Sequence, residues 1–259
     1  MSNPKKRILL LCRDDNTSKS VYNALRKSFE DVIVLCENHV SRSEMVKRRM
    51  KRIGFVETAG QVLFILAVSP LMRRRSQKRI DEIKREHGLD ESETNWQVTR
   101  VKTINSSEAQ AAIREINPDI VVVNGTRIIS KKTLQSINAP IINMHAGITP
   151  TYRGVHGAYW ALAEDRPDLV GTTVHFIDEG IDTGSIIKQV SFSTTSEDNF
   201  CTYPYLHTAA GIPALIDAVK AILDGEVKKE KSISDKPSKL HYHPTIWEYF
   251  WGKIRKGVS

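Results

Sequence analysis

Uninterrupted apolar runs alternate with helical periodicity along most of this chain. The first run, Arg7–Cys12, predicts a strand leaving a basic tail. Asp14, Asp15 and Asn16 make a polar turn. Thr17 stands where it can cap a helix to about Phe29, with Val21, Leu25 and Phe29 on one face. A second run, Asp31–Cys36, predicts a second strand. Strands that are apolar throughout and joined by helices indicate a parallel sheet covered on both faces.

The alternation stops at residues 41–90, which read as helical through Met45, Val46, Met50 and Ile53, then Val62 to Leu71, then Ile80 and Ile83. Pro70 predicts a break or kink there. The rhythm then resumes. A strand is expected near Gln97–Val101, and a capping box of Ser107 and Gln110 opens a helix to Ile116. Asn117-Pro118 turns into a strand over Asp119–Asn124, Ser130 caps a short helix to Ile137, and Ile141–Met144 is another strand. After the loop Ala146–Gly154 a helix is expected near Val155–Glu164. Gly171–Phe176 and Ser185–Val190 alternate as antiparallel strands joined by Ile177–Gly184. A helix follows over Tyr205–Leu223. The tail from Val227 is charged and ends in the aromatic-rich Tyr242–Trp251, and no internal repeat is visible.

This order predicts an α/β, doubly wound, mostly parallel sheet. The expected organisation is a domain at 1–226 with a helical insertion at about 41–90, and a short C-terminal extension at 227–259. Such sheets bind ligands beyond the carboxyl ends of their strands. The ends to inspect are Asp14-Asp15, Gly125-Thr126-Arg127 and Met144-His145. Neither a Gly-x-Gly-x-x-Gly fingerprint nor a Walker loop is present, which disfavours nucleotide binding of those types.

Composition narrows the class. The 259 residues are 40% hydrophobic and 26% charged, ordinary globular values. Three cysteines are too few, and odd in number, for a disulfide framework, so a reducing compartment is expected, with Cys12 and Cys36 filling core. No signal peptide is visible, and the longest apolar stretch falls short of a bilayer span. The expected location is therefore cytoplasmic. The net charge is +8, but residues 41–90 hold thirteen Lys/Arg against six Asp/Glu and carry +7 of it. The basicity belongs to one segment. Its apolar run between basic clusters reads either as a helical hairpin packed on the domain or on a second copy, or as a peripheral segment on an anionic membrane. Nucleic acid is disfavoured, because stacking aromatics are sparse there (Phe55 and Phe64).

Three polar features cluster in one fifth of the chain. Asn143 and His145 alternate at a strand end and so point the same way. The adjoining loop holds Thr149-Pro150-Thr151-Tyr152-Arg153-Gly154, and Asp178-Glu179-Gly180-Ile181-Asp182-Thr183-Gly184 is an acidic loop between strands. An Asn amide can donate to a developing oxyanion, and a His can donate or move a proton under the influence of a carboxylate. No Ser or Cys elbow accompanies them, so direct acyl-type transfer fits better than a covalent intermediate. Each residue also has a plain reading. Asn143 can be a turn former, His145 a core histidine with satisfied partners, and Asp182 an Asx-turn residue.

Asn143-x-His145, Pro150-x-Tyr152-Arg153-Gly154, Gly171-x-Thr173-Val174-His175-Phe176 and Asp178-x-Gly180-Ile181-Asp182-Thr183-Gly184 occur in this order. Together they resemble the catalytic domain of folate-dependent formyltransferases. The strand from Pro118 and its exit Gly125-Thr126-Arg127-Ile128-Ile129-Ser130 are similar too. The resemblance covers about residues 95–192. It implies a Rossmann-like domain moving a formyl group from 10-formyltetrahydrofolate to an amine, with no metal. Asn143 and His145 would stabilise the oxyanion, and Asp182 would tune His145 and relay the proton. Backbone groups of Arg127, Ile128 and Ile129, and of the loop with Asp178, Glu179 and Gly180, would hold the pterin. Tyr152, Arg153, Gly154 and His175 would touch substrate or support the site.

The departures bear on the acceptor. Phosphoribosylglycinamide formyltransferases carry a Gly-Asn-Gly-Ser-Asn phosphate loop where this chain has Arg13-Asp14-Asp15-Asn16-Thr17, whose carboxylates would repel a phosphate. Methionyl-tRNA formyltransferases carry a C-terminal barrel, for which the 35 or so residues after Leu223 are too few. A small-molecule amine, such as an amino sugar, is the expected acceptor. The alternatives are the methionyl-tRNA and phosphoribosylglycinamide types, and a non-catalytic folate- or partner-binding module.

Overall fold

The computed structural model describes residues 5–93 and 98–259. Strand β1 (Arg7–Arg13), helix α1 (Asn16–Ser28) and strand β2 (Asp31–Glu37) open the chain. Helices α2 (Arg42–Ile53), α3 (Phe55–Leu63) and α4 (Ser69–His87) follow, the last two bridged by a π-helical turn, Phe64–Val68. Then come β3 (Val98–Val101), α5 (Ser107–Ile116), β4 (Ile120–Asn124), α6 (Lys131–Gln135), β5 (Ile141–His145), β6 (Tyr152–Gly154) and α7 (Gly157–Ala163). The chain closes with β7 (Gly171–Phe176), β8 (Ile186–Ser191), α8 (Tyr203–Leu223), β9 (Lys239–His241) and α9 (Ile246–Lys256).

The main sheet runs β3-β2-β1-β4-β5-β7-β8. The first five strands are parallel, and β7 and β8 are antiparallel additions. This is the expected doubly wound, Rossmann-like, mostly parallel α/β sheet. Its two faces read directly from the strands. Ile8, Leu10, Val34, Ile120, Val122 and Ile142 pack under α1 and α8. Leu9, Leu11, Leu35, Val121, Val123 and Ile141 pack under α5 and α6. Cys12 and Cys36 are opposite each other in register, buried and unbridged.

The third core joins the insertion to the C-terminal segment. Phe64 is fully buried and meets Phe200 at 5.0 Å and Tyr249 at 4.9 Å, ring to ring. Arg79 of α4 is paired with the buried Asp198 at 3.0 Å, and Ser76 is hydrogen-bonded to Asn199. The indole of Trp247 lies where a side chain at Gly60 would be, 2.3 Å from a Cβ built there. Strand β9 pairs with β6 in parallel. There Gly154 adopts φ +95° and a Cβ would stand 2.2 Å from the His241 carbonyl oxygen, so only glycine fits.

Several local expectations shift. Asp15, not Thr17, caps α1, accepting from Ser18 N–H at 2.9 Å and from the Thr17 hydroxyl at 2.7 Å. Thr17 already lies inside the helix. Ser106, not Ser107, caps α5, and Gln110 turns inward to Thr133 rather than completing a box. Pro70 sits in the first turn of α4, so the irregularity falls before it, where Ser69 N–H reaches back five residues to the Phe64 carbonyl. Strand β6, inside the expected loop Ala146–Gly154, strand β9 and helix α9 are additions to the expected order. Gln97, at the start of the expected strand, and the first four residues of the basic tail lie outside the described residues. Two helical stretches among the described residues, Phe55–His87 and Tyr203–Leu223, are long and apolar enough to cross a membrane.

Candidate active site

The carboxyl ends of β1, β4 and β5 open into one cleft of about 560 Å³, within the range of small-molecule sites. Its walls include Arg13, Asp15, Asn124–Ile129, Asn143–His145, His175 and Asp178, with Gly180–Asp182 completing the loop after β7. Asn143 and His145 share one face of β5 because they are two residues apart on a strand. The antiparallel register then puts His175 opposite Asn143.

The hydrogen bonds orient these groups. His175 Nδ1 lies 2.7 Å from the Phe176 carbonyl, which can only accept, so this nitrogen carries the proton. His175 Nε2 then accepts from Asn143 Nδ2 at 3.2 Å. That fixes the carboxamide with its nitrogen toward His175 and leaves its second N–H available. His145 Nε2 donates to the Tyr152 carbonyl at 2.8 Å. Its other nitrogen, Nδ1, faces Asp182 Oδ2 at 3.4 Å. The Asp182 carboxylate also accepts from Gly154 N–H at 2.9 Å and lies 3.7 Å from His175 Nε2.

Electrostatics separates the pair. Burial pushes the His145 pKa below the usual imidazole value, against the pull of Asp182. Burial opposes the Asp182 charge as well, but the neighbouring His145 and His175 rings and the hydrogen bond from the Gly154 amide hold its carboxyl at about 2. The direction is consistent in both: at neutral pH a neutral imidazole, its Nδ1 lone pair free, faces an ionised carboxylate. Asp182 is kept there by a left-handed backbone (φ +52°), a conformation that Asp tolerates better than most residues.

Other expected residues stand around the cleft in varied ways. Ile128 and Ile129 are on its wall; Ile128 is 61% exposed. Arg127 also lines it, but its backbone N–H goes to Glu37 at 2.6 Å and its guanidinium to the Asn38 carbonyl at 2.6 Å. Asp178 ties its own loop, accepting from Gly180 N–H and the Thr183 hydroxyl. Glu179 faces outward, paired with Lys131 at 2.9 Å. Tyr152 is buried behind the wall, and its carbonyl, not its ring, reaches His145. Arg153 clamps the Ile181 carbonyl at 2.9 Å from behind, and Gly154 lines the cleft.

The sequence pattern did not reveal His207, His241, Arg52 and Tyr242, which also line the cleft. His207 and His241 are buried, and the Nε2 of each has no hydrogen-bond partner among the described residues. Burial lowers their pKa values to about 3 and about 4. Arg52 of the insertion stacks over Tyr242 of the tail at 4.5 Å. A histidine inside the apolar pattern of α8 was the one visible signal.

An Asn amide oriented beside a paired His and Asp can donate to an oxyanion and take up a proton, which is the chemistry that transfer at a carbonyl carbon needs. The sequence profile of the formyl transferase family matches residues 6–217, and the chain belongs to that family. The methionyl-tRNA formyltransferase of Kosmotoga olearia is 31% identical over 150 residues, which cover 58% of this chain and 46% of that one. The chain spans about half the length of the curated relatives it matches. Among solved structures, the N-formyltransferase of Helicobacter canadensis, in complex with folinic acid and dTDP-3-aminofucose, superposes with a TM-score of 0.57. It shares 17% identity and covers 91% of this chain and 70% of its own. Phosphoribosylglycinamide formyltransferase of Streptococcus pneumoniae superposes at 0.54, with 18% identity, 84% of this chain and 99% of its own. These superpositions support the fold.

Proposed function

We propose that this chain transfers a formyl group from 10-formyltetrahydrofolate to the amine of a small molecule, with an amino sugar as the favoured acceptor class. The observation that carries this reading is the oriented Asn143 amide beside the His145–Asp182 pair in one cleft. The cleft suits a flat donor with polar edges. Val123, Ile129, Met144, Ile177 and Ile181 offer apolar wall, and Asp178, Gly180 and Asn124 offer polar rim.

The proposed chemistry uses three side chains. The acceptor nitrogen attacks the formyl carbon, and negative charge develops on the formyl oxygen. The free N–H of Asn143 donates to it. His145 Nδ1 takes the proton that leaves the attacking amine, and the ionised Asp182 stabilises the imidazolium, which adds its charge to holding the oxyanion. The bond from formyl carbon to the donor nitrogen then breaks, and His145 returns the proton to that nitrogen. His175 positions Asn143.

Relatives named methionyl-tRNA formyltransferase favour a second reading, a tRNA-linked amine. Against a phosphate next to α1 stands Asp15, whose carboxylate already occupies the helix N-terminus. The division into a catalytic 1–226 with its insertion at 41–90 and an extension at 227–259 belongs to the same proposal. So do a cytoplasmic location and a contact of 41–90 with a membrane surface or a second copy. Incubation with labelled formyl donor over a panel of amino-sugar nucleotides, free amino sugars and aminoacylated initiator tRNA tests the reading. Label transfer to a sugar amine supports it, and transfer to tRNA alone selects the second.

A further inference from the structure

Helix α9 carries Trp247, Phe250, Trp251 and Ile254 at i, i+3, i+4 and i+7, the spacing of a core-facing stripe. Yet all four are exposed, Ile254 to 82%, while Tyr249 and Gly252 face inward. The insertion repeats this pattern. Phe55, Val56, Leu63, Leu66 and Leu71 are exposed, and Thr58, Gly60, Gln61 and Phe64 are buried on the other side. The two stripes adjoin. Trp247 seats on Gly60, and Leu71 and Phe250 line one groove between α4 and α9.

Charge says what covers this face. The insertion carries +7, and residues 227–259 hold eight Lys/Arg against three Asp/Glu, a further +5. The remainder of the chain is therefore net −4. The two basic segments are the two that carry the exposed stripes. Arg73, Arg74, Arg75, Lys253, Arg255 and Lys256 flank the apolar positions, and the Arg255 guanidinium lies 3.9 Å over the Trp251 ring.

We infer that the joined face of α3, α4 and α9 docks on an anionic lipid surface, lying in the interface with its aromatic and aliphatic side chains among the acyl boundary. Tryptophans and flanking cations suit that depth. A second copy docked face to face would set the same basic clusters against each other. Stacked bases would leave Val56, Leu63, Leu66, Leu71 and Ile254 without an apolar partner. The helices do not cross the bilayer, because one side of α3 and α4 is committed to the domain through Phe64, Ile80 and Ile83. This deepens the membrane contact of the reading above and is independent of its chemistry.

The test is co-sedimentation of the full chain with phosphatidylcholine vesicles and with phosphatidylcholine–phosphatidylglycerol vesicles, at low and high salt. Each basic residue at the surface contributes about fivefold to partitioning. Binding should need the anionic lipid, weaken with salt, blue-shift tryptophan emission, and fall on the order of tenfold or more in Trp251→Glu/Ile254→Glu. Arg73→Glu/Arg74→Glu/Arg75→Glu should lose binding too and serves if the first variant misfolds. Both variants should keep formyl transfer to a soluble amine, so failed docking and failed chemistry are told apart. No binding at low salt, equal binding to neutral vesicles, binding of tRNA but not vesicles, or a dimer dissolved by the same substitutions would each overturn the inference.

Discussion

Replacing Asp182 by Asn removes one charge and almost nothing else. The left-handed backbone at φ +52° accepts Asn as readily as Asp, and the amide oxygen can still accept from Gly154 N–H. Fold and melting temperature should stay close to wild type. Asp182 Oδ2 stands 3.4 Å from His145 Nδ1. Unit charges at that distance interact by about 5 kcal/mol at an effective dielectric of about 20. Part of this is offset by the burial of the imidazole, whose pKa remains below its ordinary value. A loss of about 3 kcal/mol from the proton-accepting transition state lowers kcat about a hundredfold. The pH profile adds a signature. His145 must be neutral to take the proton, so activity falls on the acid side as pH drops through its folded-state pKa. The Asp182 carboxylate raises that pKa and a neutral carboxamide in its place does not, so the acid limb should move to lower pH. The assay is kcat and kcat/KM against pH with labelled formyl donor and the best acceptor found. An Asp182→Asn protein with wild-type turnover and an unmoved acid limb would refute the proposed role of the pair.

Asn143→Ala should lower kcat on the order of a hundredfold or more with little effect on melting, as expected for loss of one oxyanion donor. His175→Gln should retain far more activity than His145→Gln in the same assay, because His175 acts by orienting Asn143; the reverse order would contradict the assignment. Gly60→Ala should cost about 1–3 kcal/mol by denaturant unfolding, since its Cβ meets the Trp247 ring, and Trp247→Ala should relieve most of that loss. Acid should destabilise the chain early. Burial holds His207, His241 and His243 at about 3, 4 and 4, whereas an unfolded imidazole titrates near 6.5. Below that pH the unfolded state binds more protons, so stability is flat above about pH 7 and falls by about 2 kcal/mol per histidine by about pH 5; unchanged urea midpoints between those two pH values would contradict this.

The central sheet was legible because its strands are apolar on both faces. Leu9 and Leu10 pack in opposite directions, and a run such as Arg7–Cys12 has few other destinies. The site was legible in part. Alternation on β5 aligned Asn143 with His145, but only the fold brings Asp182, nearly forty residues later, to His145. The β6–β9 pair was hidden because three-residue strands carry no period, and its requirement shows only as Gly154 in a positive-φ position. Helix α9 was hidden too. The tail was legible only as charged and aromatic-rich, and three-dimensional packing shows that Tyr249 faces inward while Trp251 and Ile254 face out. The caps slipped by one or two residues because neighbouring Asp15 and Thr17, or Ser106 and Ser107, are chemically equivalent candidates, and the helix start decides between them.

The most direct measurement is single-turnover formyl transfer from labelled 10-formyltetrahydrofolate by the purified chain, over the amine panel, with His145→Ala alongside. Label should appear as an N-formyl group on a sugar amine and should be nearly abolished in His145→Ala, while that variant keeps its fold. A chain that transfers label to no amine, or a His145→Ala protein that turns over like wild type, would contradict formyl transfer at the Asn143, His145 and Asp182 site.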